Sequence, residues 1–233
     1  MTQAHGHPFR LAVMVSGAGT SLQNLMDRIA DGRLAGVEIA VVVSSRSTVS
    51  AVERARGAGL PVEIVRVRDH PDVADFSERV ASVLDAYDVN LAVQAGWLCY
   101  WRLPDRWLGR VLNIHPALLP NYGGRGFFGR HVHEAVLAAG ERESGATVHW
   151  VDNAYDHGAI VAQQRCAVET GDTPETLAER VQALERELLP AVIARLAAEK
   201  RSKSQKVKKS KREPKAEGSP TTPGDGAPEP RTH

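Results

Sequence analysis

Residues 10–21 read RLAVMVSGAGTS, and this stretch decides the fold class. From Leu11 to Val15 the chain is apolar at every position, which suits a strand buried on both faces, as in a parallel sheet. The run ends in a Gly-rich turn, Ser16 to Ser21. Leu22, Leu25, Met26 and Ile29 then recur at helical spacing, and Gly32 stops the pattern. A buried strand, a glycine turn and a helix, in that order, form the first half of a βαβ unit.

The pattern repeats outward from there. EIAVVVSS (38–45) reads as a strand, 50–59 as a helix, VEIVRV (62–67) as a strand, 71–87 as a helix and NLAVQAG (90–96) as a strand. RVLNIHP (110–116) is a further buried strand, followed by a Gly-rich stretch and a helix over 131–139. ATVHWV (146–151) and AIVAQQRCAV (159–168) read as two more strands around the turn DNAYDHG. Residues 173–200 form one long amphipathic helix, with Thr173 as N-cap, Pro174 in the first helical position and Pro190 inside it. The expected fold is α/β and Rossmann-like: a mostly parallel, twisted sheet of about seven strands with helices on both faces.

Two regions follow, a catalytic domain over 9–199 and a tail over 200–233. The tail is rich in Lys, Pro, Gly and Ser and too poor in apolar residues to offset its ordering entropy, so disorder is expected there. Its ten basic and four acidic side chains give +6, which leaves −5 for residues 1–199 out of the net +1. An acidic body argues against nucleic-acid binding as the main function; only the tail suits non-specific contact with anions. No apolar run approaches the roughly 20 residues needed to span a bilayer. Cys99 and Cys166 match no metal or redox spacing, and a reducing, cytoplasmic location is expected.

Three motifs carry chemistry. The turn Gly17–Ser21 opens a helix, where backbone N–H groups and the positive helix end suit a phosphate. It is neither a dinucleotide fingerprint, because Leu22 stands where the third glycine belongs, nor a P-loop. Taken alone it serves equally as a tight strand-to-helix turn. In NIHP, Asn113 and His115 share one face of a strand, at the end where open α/β sheets bind ligands. An amide and an imidazole there suit acyl transfer, by stabilising an oxyanion and moving a proton. A capping Asn and a buried His explain the same residues without chemistry. Asp156, before His157 and Gly158, would favour the imidazolium if it lay near His115, although Asp near Gly is also ordinary turn chemistry. His131, His133 and His149 lack a strong metal spacing, and no metal is expected.

These motifs sit in a recognisable order. SGAGTSLQNL (16–25), QAGW (94–97), NIHPALLPNYGG (113–124), GATVHWVDNAYDHGAIVAQ (145–163) and VQALERELLP (181–190) make the chain resemble the folate-dependent formyltransferases. The resemblance covers about residues 10–198 and is nearest to the glycinamide ribonucleotide branch. It implies that a formyl group passes from 10-formyltetrahydrofolate to the amine of 5-phosphoribosylglycinamide, in purine (IMP) biosynthesis. It further implies that His115 is the catalytic acid, that Asn113 holds the formyl oxygen and that Asp156 raises the His115 pKa. Gly19, Thr20 and Ser21 would hold the phosphate and Glu185 the ribonucleotide. Leu98, Cys99, Tyr100, Trp101 and Asn113 would form the folate side.

The chain departs from the family pattern on that side. Cys99 stands in the segment where the family typically carries an Arg for the folate tail. A second tail-binding Arg falls near Val73, with Arg68 close by. The loop before the helix at 131 is several residues longer, which makes Arg125 or Arg130 a candidate grip. The rival readings are a formyltetrahydrofolate hydrolase, which would use water as acceptor, and a non-catalytic nucleotide-binding protein. The latter predicts damage at Asn113, His115 or Asp156, and all three are present.

Overall fold

The opening apolar run becomes β1 (Phe9–Val15), an interior strand whose alternate side chains feed two cores. Leu11, Val13 and Val15 point to one face, and Ala12 and Met14 to the other. The computed structural model describes residues 7–210. After β1 come α1 (Thr20–Ala30), β2 (Val37–Ser44), α2 (Ser50–Gly57), β3 (Val62–Ile64), α3 (Val73–Ala86) and β4 (Leu91–Gln94). Then follow β5 (Val111–His115), α4 (Arg130–Ala138), β6 (Glu143–Trp150), β7 (Ile160–Ala167) and α5 (Pro174–Ser210).

The seven strands lie in the order β3-β2-β1-β4-β5-β6-β7. The first five pair in parallel, while β6 and β7 run antiparallel. One core joins the sheet to α1, α2, α4 and α5; the other joins it to α3 and to Trp97, Trp101 and Trp107. The chain winds outward from β1 to β3, then returns to place β4 on β1's other side. That reversal leaves a crevice at the C-terminal strand ends, where open α/β sheets bind ligands.

Local chemistry sets the element ends. Asp72 caps α3 by accepting from the Ala74 and Asp75 N–H groups at 2.8 and 3.0 Å, worth about 1 kcal/mol. β3 is shorter than the expected 62–67 because its partner β2 runs out at Ser44, which pairs with Ile64. At the start of α5, Thr173 and Thr176 bond reciprocally: the Thr173 N–H donates to Thr176 Oγ1 (2.9 Å), and the Thr176 N–H to Thr173 Oγ1 (3.3 Å). This is the geometry of a capping box, with Thr in the place of Glu.

The apolar stripe of α5, including Leu177, Val181, Leu189, Ile193 and Ala197, ends where the expected tail begins. The helix nevertheless continues to Ser210, ten residues past Lys200. Disorder was expected for the whole of 200–233, and its first eleven residues are helical instead. Lys, Arg and Gln keep most of their rotamer freedom in a helix, so an established helix extends through them without a core. Residues 211–233, the rest of the expected tail, lie outside the described residues. Among the described residues, no helix is long and apolar enough to cross a membrane.

Candidate active site

The turn after β1 is shaped by a close approach. Gly19 has φ +74°, and a Cβ there would stand 2.7 Å from Ala51 Cβ and 2.9 Å from its Cα. Glycine is therefore needed twice, for the left-handed angle and for contact with α2. The Ala51 N–H donates to the Gly17 carbonyl (3.2 Å), and Arg54 Nε to the Ala18 carbonyl (3.2 Å). These bonds turn two loop carbonyls toward α2. No side chain caps α1 and no acid sits in its first turn. Its leading N–H groups are thus suited to an external anion. Beneath the turn, buried Ser16 Oγ accepts from the Leu98 N–H (3.0 Å) and meets Ser45 Oγ at 2.6 Å, tying together the ends of β1, β2 and β4.

Asn113 and His115 project from the last turn of β5's pleat, and the antiparallel register sets their neighbours. His149 of β6 lies opposite Asn113, and Thr147 lies opposite His115. Thr147 Oγ1 donates to the Ala117 carbonyl (2.6 Å) and accepts from Leu119 N–H (3.1 Å) and Gln163 Nε2 (2.9 Å). Gln163 Nε2 also reaches the Leu119 carbonyl at 2.9 Å. The segment after NIHP is thereby clamped from two strands.

His115 is buried, with 4% of its side chain exposed. Its Nε2 lies 2.7 Å from the Tyr122 carbonyl. A carbonyl only accepts, so Nε2 carries a proton and the exchangeable position is Nδ1. Nδ1 faces Asp156 Oδ2 at 3.6 Å. Burial pushes the His115 pKa down, while the Asp156 charge and the Tyr122 carbonyl pull it up. The net direction is downward. Asp156 acts in the expected sense, but desolvation outweighs it.

Asp156 has φ +53°, and its Oδ2 accepts the Gly124 N–H at 3.0 Å. Burial pushes its carboxyl up, but the His115 charge and the Gly124 N–H hold it below the ordinary carboxylate value. Asn113 Nδ2 lies 3.2 Å from Asp156 Oδ1 and 3.0 Å from His149 Nε2. His149 Nδ1 meets the Trp150 carbonyl at 2.9 Å, so Nδ1 holds its proton and Nε2 accepts from Asn113. Both amide hydrogens of Asn113 are therefore engaged, and its orientation is fixed. The three residues singled out from sequence meet in one cluster. His149 completes it, and sequence reasoning had considered it only as a metal ligand; the signal that would have found it is the pairing register of β5 with β6.

A cleft of about 510 Å³ surrounds this cluster, within the range usual for small-molecule sites. Gly19, Thr20, Ser21, Asn113, His115, Asp156 and Glu185 all line it, as do Leu98 and Cys99. Glu185 comes from α5, and burial pushes its carboxyl up to about 7. Tyr100 is not on the wall; it packs behind Tyr155 at 5.4 Å between ring centroids. Trp101, expected on the folate side, is 2% exposed in the core against α3. The segment turns away from the cleft after Cys99, which carries Trp101 into that core. Arg130 bonds to Glu134 (2.6 Å) and to Glu175. Arg68 lies 3.7 Å from Asp69 and Arg125 is exposed; neither lines the cleft.

Sequence reasoning also passed over Gln94, Phe127, Phe128, Tyr155 and Gln182 on the wall. His133 lines it as well. Its ring is buried, Nδ1 has no hydrogen-bond partner, and burial and the nearby His115 push its pKa down.

A Rossmann-like sheet that carries an amide, an imidazole and a carboxylate beside a turn suited to an anion has the parts of an α/β group-transfer enzyme. The chain belongs to the formyl transferase family, whose model matches residues 9–193. It is 37% identical over 194 residues to a chloroplastic phosphoribosylglycinamide formyltransferase of Arabidopsis thaliana, covering 82% of this chain and 66% of that protein. It is 38% identical over 204 residues to the trifunctional purine biosynthetic protein adenosine-3 of Drosophila pseudoobscura pseudoobscura, covering 86% of this chain and 14% of that protein. The chain thus spans less than two thirds of the length of these relatives. Among solved structures, the phosphoribosylglycinamide formyltransferase of Coxiella burnetii superposes with a TM-score of 0.73 at 37% identity, covering 82% of this chain and 88% of that one.

Proposed function

We propose that this chain transfers the formyl group of 10-formyltetrahydrofolate to the amine of 5-phosphoribosylglycinamide, a step of purine biosynthesis. The observation that carries the reading is the convergence of Asn113, His115 and Asp156 in one cleft with the anion-suited turn Gly17–Ser21. The turn would hold the ribonucleotide phosphate, and Glu185 its sugar. The amine nitrogen attacks the formyl carbon and the carbonyl electrons move onto oxygen. Asn113 Nδ2 then donates to that oxygen in place of Asp156 Oδ1, its longer partner at 3.2 Å. This is stabilisation of developing charge by a preset donor. The proton lost by the amine reaches the departing folate nitrogen by way of His115 Nδ1, since Nε2 is held by Tyr122. The 3.6 Å between Nδ1 and Asp156 leaves that face open to a reacting group while the carboxylate supports the imidazolium.

The two free cysteines, Cys99 and Cys166, suit a reducing compartment such as the cytoplasm. Purified protein given both substrates should yield formylglycinamide ribonucleotide. His115→Ala should lower kcat by at least about two orders of magnitude. Absence of product, or near-normal turnover by the variant, would refute the assignment.

A further inference from the structure

One side chain on the cleft wall is costly to the fold and takes no part in the cluster around His115. His133 of α4 is 3% exposed, and its Nδ1 is enclosed without a hydrogen-bond partner. A buried nitrogen left unpaired costs stability, and an apolar side chain of similar size would avoid that cost. Such an atom is an exception that calls for a reason other than the stability of the fold. The ring lines the cleft, which supplies one. Nε2 is neither enclosed nor bonded to a described residue, so it is the atom that opens on the cleft.

The surroundings of the ring set its chemistry. Burial and the nearby His115 push its pKa down, so at neutral pH the imidazole is uncharged and holds one hydrogen. Buried N–H groups without a partner are rarer than unpaired acceptors, so Nδ1 is bare and Nε2 carries the hydrogen. His133 thus offers the cleft a neutral, fixed N–H donor. Its place selects the group that accepts. The helices α4 and α5 pack on the same face of the sheet as α1. His133 therefore stands on the side of the cleft that holds the Gly17–Ser21 turn, Gln182 and Glu185, and it lies near His115. In a ribonucleotide with its phosphate at the turn and its amine at His115, the oxygen nearest the amine is that of the carboxamide.

We propose that His133 is a specificity residue for the acceptor: its Nε2–H donates to the carboxamide oxygen of the glycinamide and so turns the amine toward the formyl carbon. The proposal rests on the acceptor named under the proposed function. No proton moves through His133; the ring holds the carboxamide while Asn113 and His115 act on the reacting atoms. A neutral hydrogen bond of this kind has a roughly three- to tenfold effect on affinity.

The test is titration calorimetry of the parent, His133→Leu and His133→Gln with glycinamide ribonucleotide and with ribose 5-phosphate, which lacks the carboxamide. His133→Leu should bind the ribonucleotide roughly three- to tenfold more weakly and ribose 5-phosphate as the parent does. The ribonucleotide KM should rise by the same factor, and the KM for 10-formyltetrahydrofolate should stay. His133→Gln should recover much of the loss, because its amide N–H replaces that of the ring. The melting temperature of His133→Leu should equal the parent's or exceed it by roughly 2–6 °C, since the unpaired nitrogen is gone. Unchanged ribonucleotide binding by His133→Leu overturns the inference, and so does equal weakening of both ligands. A lower melting temperature with an unchanged KM makes His133 a packing residue and overturns it too. A parent that binds the ribonucleotide, is weakened by His133→Leu and yet forms no product would sink the proposed reaction and keep the carboxamide contact. Product formed at an unchanged ribonucleotide KM would sink the contact alone.

Discussion

Gly158 should be the least replaceable residue outside the proposed catalytic cluster. Its angle is not left-handed, so the constraint is space alone. A Cβ at this position would stand 1.8 Å from the Trp150 carbonyl oxygen and 2.8 Å from its carbon. Real Cβ contacts essentially never fall below 3.0 Å, so the backbone must part by at least about 1.2 Å. Both partners are backbone, and no side chain can swing aside. Gly158→Ala is therefore expected at the upper end of overpacking costs, about 3 kcal/mol, a fall in Tm of roughly 6–12 °C for a chain of this size. The same carbonyl holds His149 Nδ1, and His149 holds Asn113. A shift of about 1 Å should then lower kcat by up to roughly a hundredfold. Thermal melts and initial rates on one preparation measure both. A melting temperature within 2 °C (roughly the shift that ~1 kcal/mol produces) together with normal turnover would refute the reasoning. Gly57→Ala is the control. It closes α2, nothing lies within 4 Å of the added carbon and its φ is not positive, so the same substitution should stabilise by about 0.4–1 kcal/mol.

Two further outcomes follow from charge. Asp156→Asn removes the attraction that pulls the His115 pKa up, leaving burial less opposed, so the pH profile of kcat should move to lower pH as the rate drops; an unmoved profile counts against the coupling. Glu185 has a folded value of about 7 against an ordinary 4.5, so the folded state keeps its proton where the unfolded chain has lost it. That costs stability progressively as pH rises from about 4.5 to about 7. Glu185→Gln should accordingly melt higher than the parent at pH 8, match it at pH 4 and show a raised ribonucleotide KM. A variant no more stable at pH 8 would refute the buried-carboxylate argument.

Much of the frame was legible because it follows from periodicity. The apolar runs at 11–15, 39–43 and 91–93 suit burial on both faces in a parallel sheet, and the helices between them follow from spacing. Ends were less legible where they depended on a neighbour: β3 stops because β2 stops. The last turns of α5 were missed for the opposite reason, since an established helix can outrun its core when its residues favour the conformation. Trp101 was misplaced because three tryptophans crowd residues 97–107 and only packing decides which one faces the cleft.

The proposed catalytic pair was visible as a motif, but its alignment resides in β6. Thr147 and His149 lie two residues apart and so share one face of that strand. Thr147 clamps the chain leaving His115, while His149 turns the Asn113 amide. A slip of one residue would set Val148 opposite Asn113, remove both contacts and bury the wrong face. The antiparallel turn of the sheet after β5 thus does more than close its edge. It supplies, on one strand, the two side chains that hold the proposed acid and the proposed oxyanion donor in place, so the geometry of the motif has its cause in β6.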